Sequence, residues 1–238
     1  MRLYAYCLSE EATPETLEGV AGVDGVRPRL IRKGALALVV SEFEGERVAV
    51  TRENVRAHGR VIASVMRQAT PLPFRFGTVA AEERLGNYLR THEGALRASL
   101  VRVRGCVEMS VKIIWDAGAV RREVEEIGEE ARAVGVGRGA AFLAAKQREL
   151  SGDEKLKERA EALAARLEAR VADVVRESSV SVRPSESLVV RAAHLVETAR
   201  LEEYRARLKA LGSESGEREI RFLTSGAWPP YSFSDVRS

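Results

Sequence analysis

Apolar and polar positions recur along this chain with two periods, one of two residues and one of three to four. The first period is typical of strands, and it predicts them at residues 3–8, 26–31, 36–40, 71–76, 106–115, 180–182, 188–196 and 218–223. The second is typical of helices, and it predicts them at residues 14–22, 51–69, 82–100, 120–133, 140–177 and 198–211. Each half of the chain therefore follows the order βαββαβ.

This repeated order predicts an α+β protein made of two ferredoxin-like domains. We expect the first domain at residues 1–104 and the second at residues 105–238, with the boundary near Gly105. The halves share an order of elements but no visible sequence repeat. The second domain differs by a long helical insertion at about residues 118–177 and by an aromatic, proline-rich segment at residues 228–235, called the tail below.

The inserted helix carries a narrow apolar stripe. Its members recur at steps of three and four residues and are Leu156, Ala160, Leu163, Leu167, Val171 and Val174. Charged residues surround them, so that Arg159, Glu161 and Arg166 are expected to be largely exposed. We expect the stripe to pack against the predicted helix at 120–133 or against another protein. Ser151-Gly152-Asp153 marks a point where the helix can break.

Composition is that of an ordinary globular protein, since 45% of the 238 residues are hydrophobic and 31% are charged. The 38 basic and 35 acidic residues are interleaved, so the pI near 9.0 reflects no basic patch and nucleic-acid binding is not expected. Apolar runs fall short of the ~18 residues of a membrane span, and the first residues lack signal-peptide features. Cys7 and Cys106 lie far apart in apolar runs, which indicates buried thiols in a reducing cytoplasm.

Residues able to do chemistry form no recognisable constellation. His58 lies on the apolar stripe of the 51–69 helix, which favours a core histidine over a catalytic base. His92 is expected on a helix surface, and His194 lies in a strand with no cysteine or acid at ligand spacing. The glycine-rich stretch at 135–139 lacks phosphate-loop spacing and is interpreted as a hinge between helices. We therefore predict no catalytic residue, no metal and no cofactor.

Four segments spread along the whole chain match short motifs of one protein family. They are Leu3-Tyr4-Ala5-Tyr6, Leu72-Pro73-Phe74-Arg75-Phe76-Gly77-Thr78-Val79, Gly139-Ala140-Ala141-Phe142-Leu143-Ala144-Ala145-Lys146 and Ser225-Gly226-Ala227-Trp228-Pro229-Pro230-Tyr231-Ser232-Phe233. In that order they resemble the opening strand, the LPxRFGT segment, the GxxYLxxK segment and the SGPWPPYxF signature of the gas vesicle proteins GvpL/GvpF. His58 corresponds to a helical histidine of that family. Ala227 replaces the family's proline, and Phe142 its tyrosine.

The resemblance implies a non-enzymatic gas vesicle protein, either a minor structural component or an assembly factor of the gas-filled organelle that gives cells buoyancy. The implied partners are the small apolar shell protein and other gas vesicle accessory proteins, with no nucleic acid and no membrane. The implied location is the gas vesicle or the cytoplasm. Two other classes stay open: a cytoplasmic regulatory or small-ligand-binding protein using an interdomain cleft, and a cofactor-free enzyme with His58 and Arg75 in its pocket.

The candidate structural or partner-contact residues are Arg75, Phe76, Trp228, Pro229, Pro230, Tyr231 and Phe233. For Arg75 an internal ion pair is favoured over a partner contact. The tail can be neither a helix interior nor a central strand, because proline fixes φ and lacks a backbone donor. Its large aromatics predict a docked tail that staples the domains, with Trp228 and Tyr231 mostly buried near residues 72–78 or at the domain boundary. Direct partner contact is the alternative.

Overall fold

The computed structural model describes residues 1–115, 138–183, 188–214 and 220–235. The chain forms two compact units. The first consists of Met1–Glu108 with Ala227–Ser238, and the second of Met109–Gly226. The sequence-based division at Gly105 assigned the tail to the second half. In the structure the tail groups with the first unit, because its side chains pack into that unit's core.

The first unit is built on an antiparallel sheet of five strands, which are β1 (Arg2–Ser9), β2 (Arg29–Lys33), β3 (Leu36–Glu42), β4 (Leu72–Pro73) and β5 (Val79–Ala81). The strand order is β2-β3-β1-β4, and β5 also pairs with β1. Every residue of β1 after Arg2 is buried. Burial of both faces explains why β1 is an almost continuous apolar run rather than an alternating one.

Three helices belong to the first unit: α1 (Arg52–Met66), α2 (Glu82–Thr91) and α3 (Glu93–Val103). Thr51 caps α1, since its side chain accepts a hydrogen bond from the Asn54 backbone N–H at 3.1 Å. The buried face of α1 includes His58, Ile62 and Val65, as the apolar spacing predicted. The helix thus directs an imidazole into the core.

The second unit is built on a sheet of four strands, which are β6 (Cys106–Trp115), β7 (Val175–Val182), β8 (Leu188–Glu197) and β9 (Ile220–Trp228). Their order is β7-β8-β6-β9, and the boundary between the units falls inside β6 and β9. Among the described residues, the helices of this unit are α4 (Arg138–Val171) and α5 (Leu201–Glu214). The alternating apolar residues of β6, Val107, Met109, Val111 and Ile113, are all buried.

The apolar stripe of α4 forms part of the second unit's core. All six stripe residues are buried, whereas Glu161 and Arg166 are exposed and Arg159 is half-buried. The stripe packs with residues from β6, β8 and α5, including Met109 and Tyr204. It therefore covers the unit's own sheet instead of forming a seam with a separate partner. The predicted helix at 120–133 lies outside the described residues.

Two predicted elements of the first unit are reduced to less than half of their predicted length. The helix expected at 14–22 is only a 3₁₀ turn, Pro14–Leu17. The strand expected at 71–76 pairs only at Leu72–Pro73, because the chain then turns at Phe76-Gly77. Gly77 has a φ of +86°, a conformation that favours glycine. Local propensity favoured extended structure here, whereas the tertiary fold requires a turn.

The inserted helix also differs from its prediction. It was expected to continue to residue 177 but ends at Val171, because the residues from Val175 onward pair with β8 as strand β7. Ladder hydrogen bonds with β8 replace the helical ones at this point. The predicted break at residues 151–153 is absent, and α4 is continuous there.

The two cysteines are buried free thiols, as expected. Burial raises the pKa of the Cys7 thiol far above its ordinary value, which keeps it protonated. Across the described ranges no helix is both long and apolar enough to cross a membrane.

Candidate functional site: an aromatic cluster around His58

Residues from distant parts of the first unit meet around the imidazole of His58. The rings in contact there, called the His58 cluster, are Tyr4, Tyr6, Phe43, His58, Phe76 and Tyr231. The ring centroids of Tyr4 and Phe76 each lie 5.7 Å from that of His58, and the Tyr231 centroid lies 6.4 Å away. Three of the four family-like segments and the family-like histidine thus contribute to one cluster.

Local backbone geometry explains how the cluster forms. Tyr4 and Tyr6 are two residues apart on β1, so both side chains project from the same face of the sheet. The left-handed conformation of Gly77 turns the chain after β4, and its N–H donates a hydrogen bond to the Tyr4 hydroxyl at 3.2 Å. A β-carbon at Gly22 would lie only 2.2 Å from the Tyr6 hydroxyl oxygen, so this close approach requires glycine.

Most polar side-chain atoms of the His58 cluster make hydrogen bonds to other groups of the protein. The Tyr4 hydroxyl is hydrogen-bonded to Nδ1 of His58 at 2.8 Å. The Tyr6 hydroxyl accepts a hydrogen bond from the Val23 N–H at 2.8 Å and lies 3.0 Å from the Ser41 hydroxyl oxygen. Nε2 of His58 is buried and has no partner in hydrogen-bond geometry among the described residues.

Burial keeps the His58 cluster uncharged at neutral pH. It lowers the pKa of the His58 imidazole to about 4, while the Phe74 backbone acts in the opposite direction. Burial likewise raises the pKa of Tyr231 to about 12 and shifts the pKa of Tyr4 upward. The imidazole is therefore neutral and acts as a packed, hydrogen-bonded ring.

The shifted pKa of His58 predicts a pH dependence of stability. The imidazole titrates near pH 6.5 when the chain is unfolded and near pH 4 when it is folded. The unfolded state thus binds the proton first as pH falls, so the His58 contribution is complete above pH 6.5 and is lost between there and pH 4. We expect a loss of about 3 kcal/mol over that window, measured by urea unfolding at several pH values.

The control for this measurement is His58→Gln, which keeps a hydrogen-bonding side chain but does not titrate. Carboxylates contribute to the pH dependence of both proteins, so the difference between them isolates the imidazole. The same slope in both proteins between pH 6.5 and pH 4 would show that His58 is not buried as described.

A buried carboxylate holds the tail against the first unit. Glu108 is only 7% exposed. One of its oxygens accepts the Ser232 N–H at 2.7 Å, and the other accepts the Ser232 hydroxyl at 2.9 Å. Burial raises the pKa of Glu108, and the two Ser232 hydrogen bonds oppose that shift. The Arg102 guanidinium also donates to the Phe233 carbonyl. The sequence did not indicate this contact between Glu108 and Ser232, because a single acid in a strand resembles a solvent-facing position.

The structure separates the candidate residues into buried and exposed groups. Pro230 and Phe233 are buried, and Tyr231 and Phe76 are half-buried in the His58 cluster. Trp228, in contrast, is 50% exposed, so the expectation that it is mostly buried was wrong. Pro229-Pro230 ends β9 right after it, and the chain docks through the residues that follow.

Among the described residues, Arg75 does not make the internal ion pair that was favoured for it. Its side chain is exposed and pairs with no acidic group in the part of the chain that the structure describes. Its backbone carbonyl accepts hydrogen bonds from the Thr78 N–H at 3.2 Å and the Thr78 hydroxyl at 2.7 Å, which closes the turn. The guanidinium is therefore left at the surface.

A second buried histidine lies in the core of the second unit. His194 on β8 is 0% exposed, with Nδ1 2.6 Å from the Tyr204 hydroxyl and Nε2 2.8 Å from a Glu168 carboxylate oxygen. Burial lowers the pKa of His194, and Glu168 opposes the shift. The spacing of residues around His194 did not indicate Glu168 as a partner, because Glu168 lies on α4, far from His194 in sequence.

The His58 cluster and the Glu108–Ser232 contact are suited to anchoring the tail on the first unit. Within the described ranges no group of three or more His, Cys, Asp or Glu side chains is placed to hold a metal ion. A separate groove of about 500 Å³ lies in the first unit between the β2–β3 hairpin and α2. Leucines, including Leu36 and Leu85, line it together with charged residues, and it contains no histidine or cysteine. The geometry defines an α+β protein in which an aromatic core holds a C-terminal tail.

Comparison with known proteins shows which family this chain resembles. The family model described as "Gas vesicle synthesis protein GvpL/GvpF" matches residues 2–235. Gas vesicle protein L of Streptomyces sp. (strain CB03234) is 29% identical, covering 98% of this chain and 92% of that protein. Gas vesicle protein F of Dolichospermum flosaquae is 24% identical, covering 99% and 98%.

Solved structures of gas vesicle protein GvpF share the fold. The crystal structure from Anabaena sp. PCC7120 superposes with a TM-score of 0.83 at 20% identity, covering 100% of this chain and 97% of that one. The structure from Microcystis aeruginosa gives 0.77 at 18% identity, with 99% of both chains covered. The chain therefore belongs to the GvpL/GvpF family, and its role is in gas vesicle formation.

Proposed function

We propose that this protein is a non-enzymatic component or assembly factor of the gas vesicle, acting through contacts with the shell protein and other accessory proteins. The proposal rests on the packing of the residues that match the family's motifs. Tyr4, His58, Phe76 and Tyr231 pack on one another and on the tail, and the His58 Nδ1 is bonded to Tyr4. Side chains enclosed in this way hold the first unit and its tail together, and the proposal assigns them a structural role.

The fold supports a more detailed proposal about the domains. In each sheet the strands, numbered along the chain, lie in the order 2-3-1-4, because β7-β8-β6-β9 repeats β2-β3-β1-β4. That order fits a ferredoxin-like arrangement in each unit, with α4 in the first crossover of the second. We place the working location at the gas vesicle and in the surrounding cytoplasm, with neither nucleic acid nor membrane as partner.

The exposed candidate residues are proposed as partner contacts. Arg75 and Trp228 lie at the surface of the first unit, whereas Phe76, Pro229, Pro230, Tyr231 and Phe233 hold the tail in place. An exposed aromatic and an exposed guanidinium are the side chains most often enriched in protein interfaces. The two groups therefore have different proposed roles, recognition and anchoring.

A complementation experiment tests this function. Deleting the gene from a vesicle-forming host is expected to abolish vesicles, and the wild-type gene is expected to restore them, measured by pressure-sensitive light scattering. The Arg75→Ala/Trp228→Ala double variant is expected to fold normally, by its urea midpoint, yet to restore few vesicles. Arg166→Ala, which changes an exposed residue of α4, is the control. Normal vesicles without the gene would contradict the proposal and favour a regulatory or ligand-binding role.

A further inference from the structure

The tail is joined to the first unit by few polar contacts. In the described part of the chain, the hydrogen bonds between residues 229–235 and the rest of that unit involve Glu108 and Arg102. The other hydrogen bonds of these residues are internal, such as that from the Tyr231 N–H to the Pro229 carbonyl at 2.8 Å. Movement of the tail away from the unit therefore breaks no hydrogen bond of a helix or a sheet.

A pair of prolines separates the tail from β9. Pro229 and Pro230 have no backbone N–H to donate to a neighbouring strand, so sheet pairing ends before them. Pro230 then turns the chain, with a φ of −76° and a ψ of 63°, the conformation of an inverse γ-turn. The residues after this turn can change position while β9 stays paired with β6.

The contact between Glu108 and Ser232 places a charge in a poorly solvated position. Glu108 is 7% exposed, and both carboxylate oxygens are bonded to Ser232. A buried charge is costly unless it is fully compensated. Burial raises the pKa of Glu108 although the Ser232 hydrogen bonds act in the opposite direction, so the compensation is incomplete. Because both oxygens face the tail, departure of the tail returns the charge to water.

We propose that the tail opens and closes as a strap without unfolding of the first unit, and that the carboxylate charge of Glu108 weakens the closed state. When the strap is closed, Phe233 is 2% exposed and the Tyr231 ring lies against His58. Opening removes both rings from the core of the first unit. The strap is a conformational property of the chain and does not depend on the proposed function.

Digestion of the native protein with chymotrypsin tests the strap. Chymotrypsin cleaves after aromatic residues, so cuts after Tyr231 and Phe233 require the tail to leave its buried position. The full-length protein is digested at neutral pH, and the released C-terminal peptides are quantified by mass spectrometry. Each rate is divided by that of a synthetic peptide with the same tail sequence. Cuts after Tyr4 and Tyr6, which are buried in β1, report unfolding of the whole unit.

Two variants are expected to change tail release in opposite directions. Glu108→Gln keeps the size of the side chain and its ability to hydrogen-bond Ser232 but removes the charge, so release should be about tenfold slower. Ser232→Ala removes one hydrogen bond from the buried charge, so release should be about tenfold faster. Glu44→Gln makes the first chemical change at an exposed position and should leave the rate unchanged. In the wild-type protein, tail release should be faster than the cuts in β1.

Two results would overturn the proposal. Tail release no faster than the cuts in β1 would show that the tail leaves only when the whole unit unfolds. Unchanged or faster release from Glu108→Gln would show that the charge does not weaken the closed state. If Glu108→Gln does not fold, Ser232→Ala decides, and unchanged or slower release from that variant contradicts the proposal.

Discussion

Replacing Phe233 by alanine is expected to lower the free energy of unfolding by about 3–5 kcal/mol. The Phe233 side chain is 2% exposed, so its removal leaves a cavity in the first unit and loses the favourable transfer of an aromatic ring from water. The neighbouring Ser232 and Tyr231 would also lose the support of a firmly seated tail. Urea unfolding followed by circular dichroism measures the loss as a shift of the midpoint.

Trp228→Ala is the matched control, because it removes a larger aromatic ring from the same tail. Trp228 is 50% exposed, so its loss is expected to cost less than about 1 kcal/mol. Equal losses for the two variants would contradict the assignment of Phe233 as the anchor. A larger loss for Trp228→Ala would restore the expectation, drawn from the sequence, that the tryptophan docks.

Leu163→Ala is expected to cost about 2–5 kcal/mol in the second unit. Leu163 is 8% exposed and lies in the middle of the α4 stripe, which packs with the sheet and α5. The side chain therefore contributes to the unit's core, and truncating it leaves a cavity that neighbours on three elements cannot easily fill. The measurement is again the urea midpoint.

The control for the stripe is Arg166→Ala on the exposed face of the same helix, which is expected to change stability by no more than about 0.5 kcal/mol. A loss well under 1 kcal/mol for Leu163→Ala, accompanied by loss of vesicles, would instead indicate that the stripe binds a partner.

Regular elements were predictable where the periodic signal was strong. The alternation of Val107, Met109, Val111 and Ile113 located β6, and the recurring apolar residues of α4 identified its buried face. Prediction failed where neighbours in space decide the outcome. Val175 begins a strand because β8 pairs with that segment, and the residues after Thr13 form only a 3₁₀ turn before the chain becomes extended at Glu18.

The candidate site was predictable in its parts but not in its assembly. His58 was correctly placed in the core from helical spacing, and the tail was correctly expected to dock. The pairing of Glu108 with Ser232, and of His194 with Glu168, joins residues far apart in sequence, and periodicity carries no information about such contacts. Trp228 was misplaced because its size indicated burial, while its position at the end of an edge strand decided its exposure.

The order of segments along the chain determines when each unit can be completed during synthesis. Glu108 and Ser232 are 124 residues apart, and the whole second unit lies between them in sequence. Closing so long a loop costs little more than closing a shorter one, because the entropy grows with the logarithm of its length. On the ribosome, however, β1 and α1 emerge long before the tail does. The unit that begins the chain is therefore completed after the one inserted into it, and its aromatic core lacks Tyr231 and Phe233 until the tail has been made.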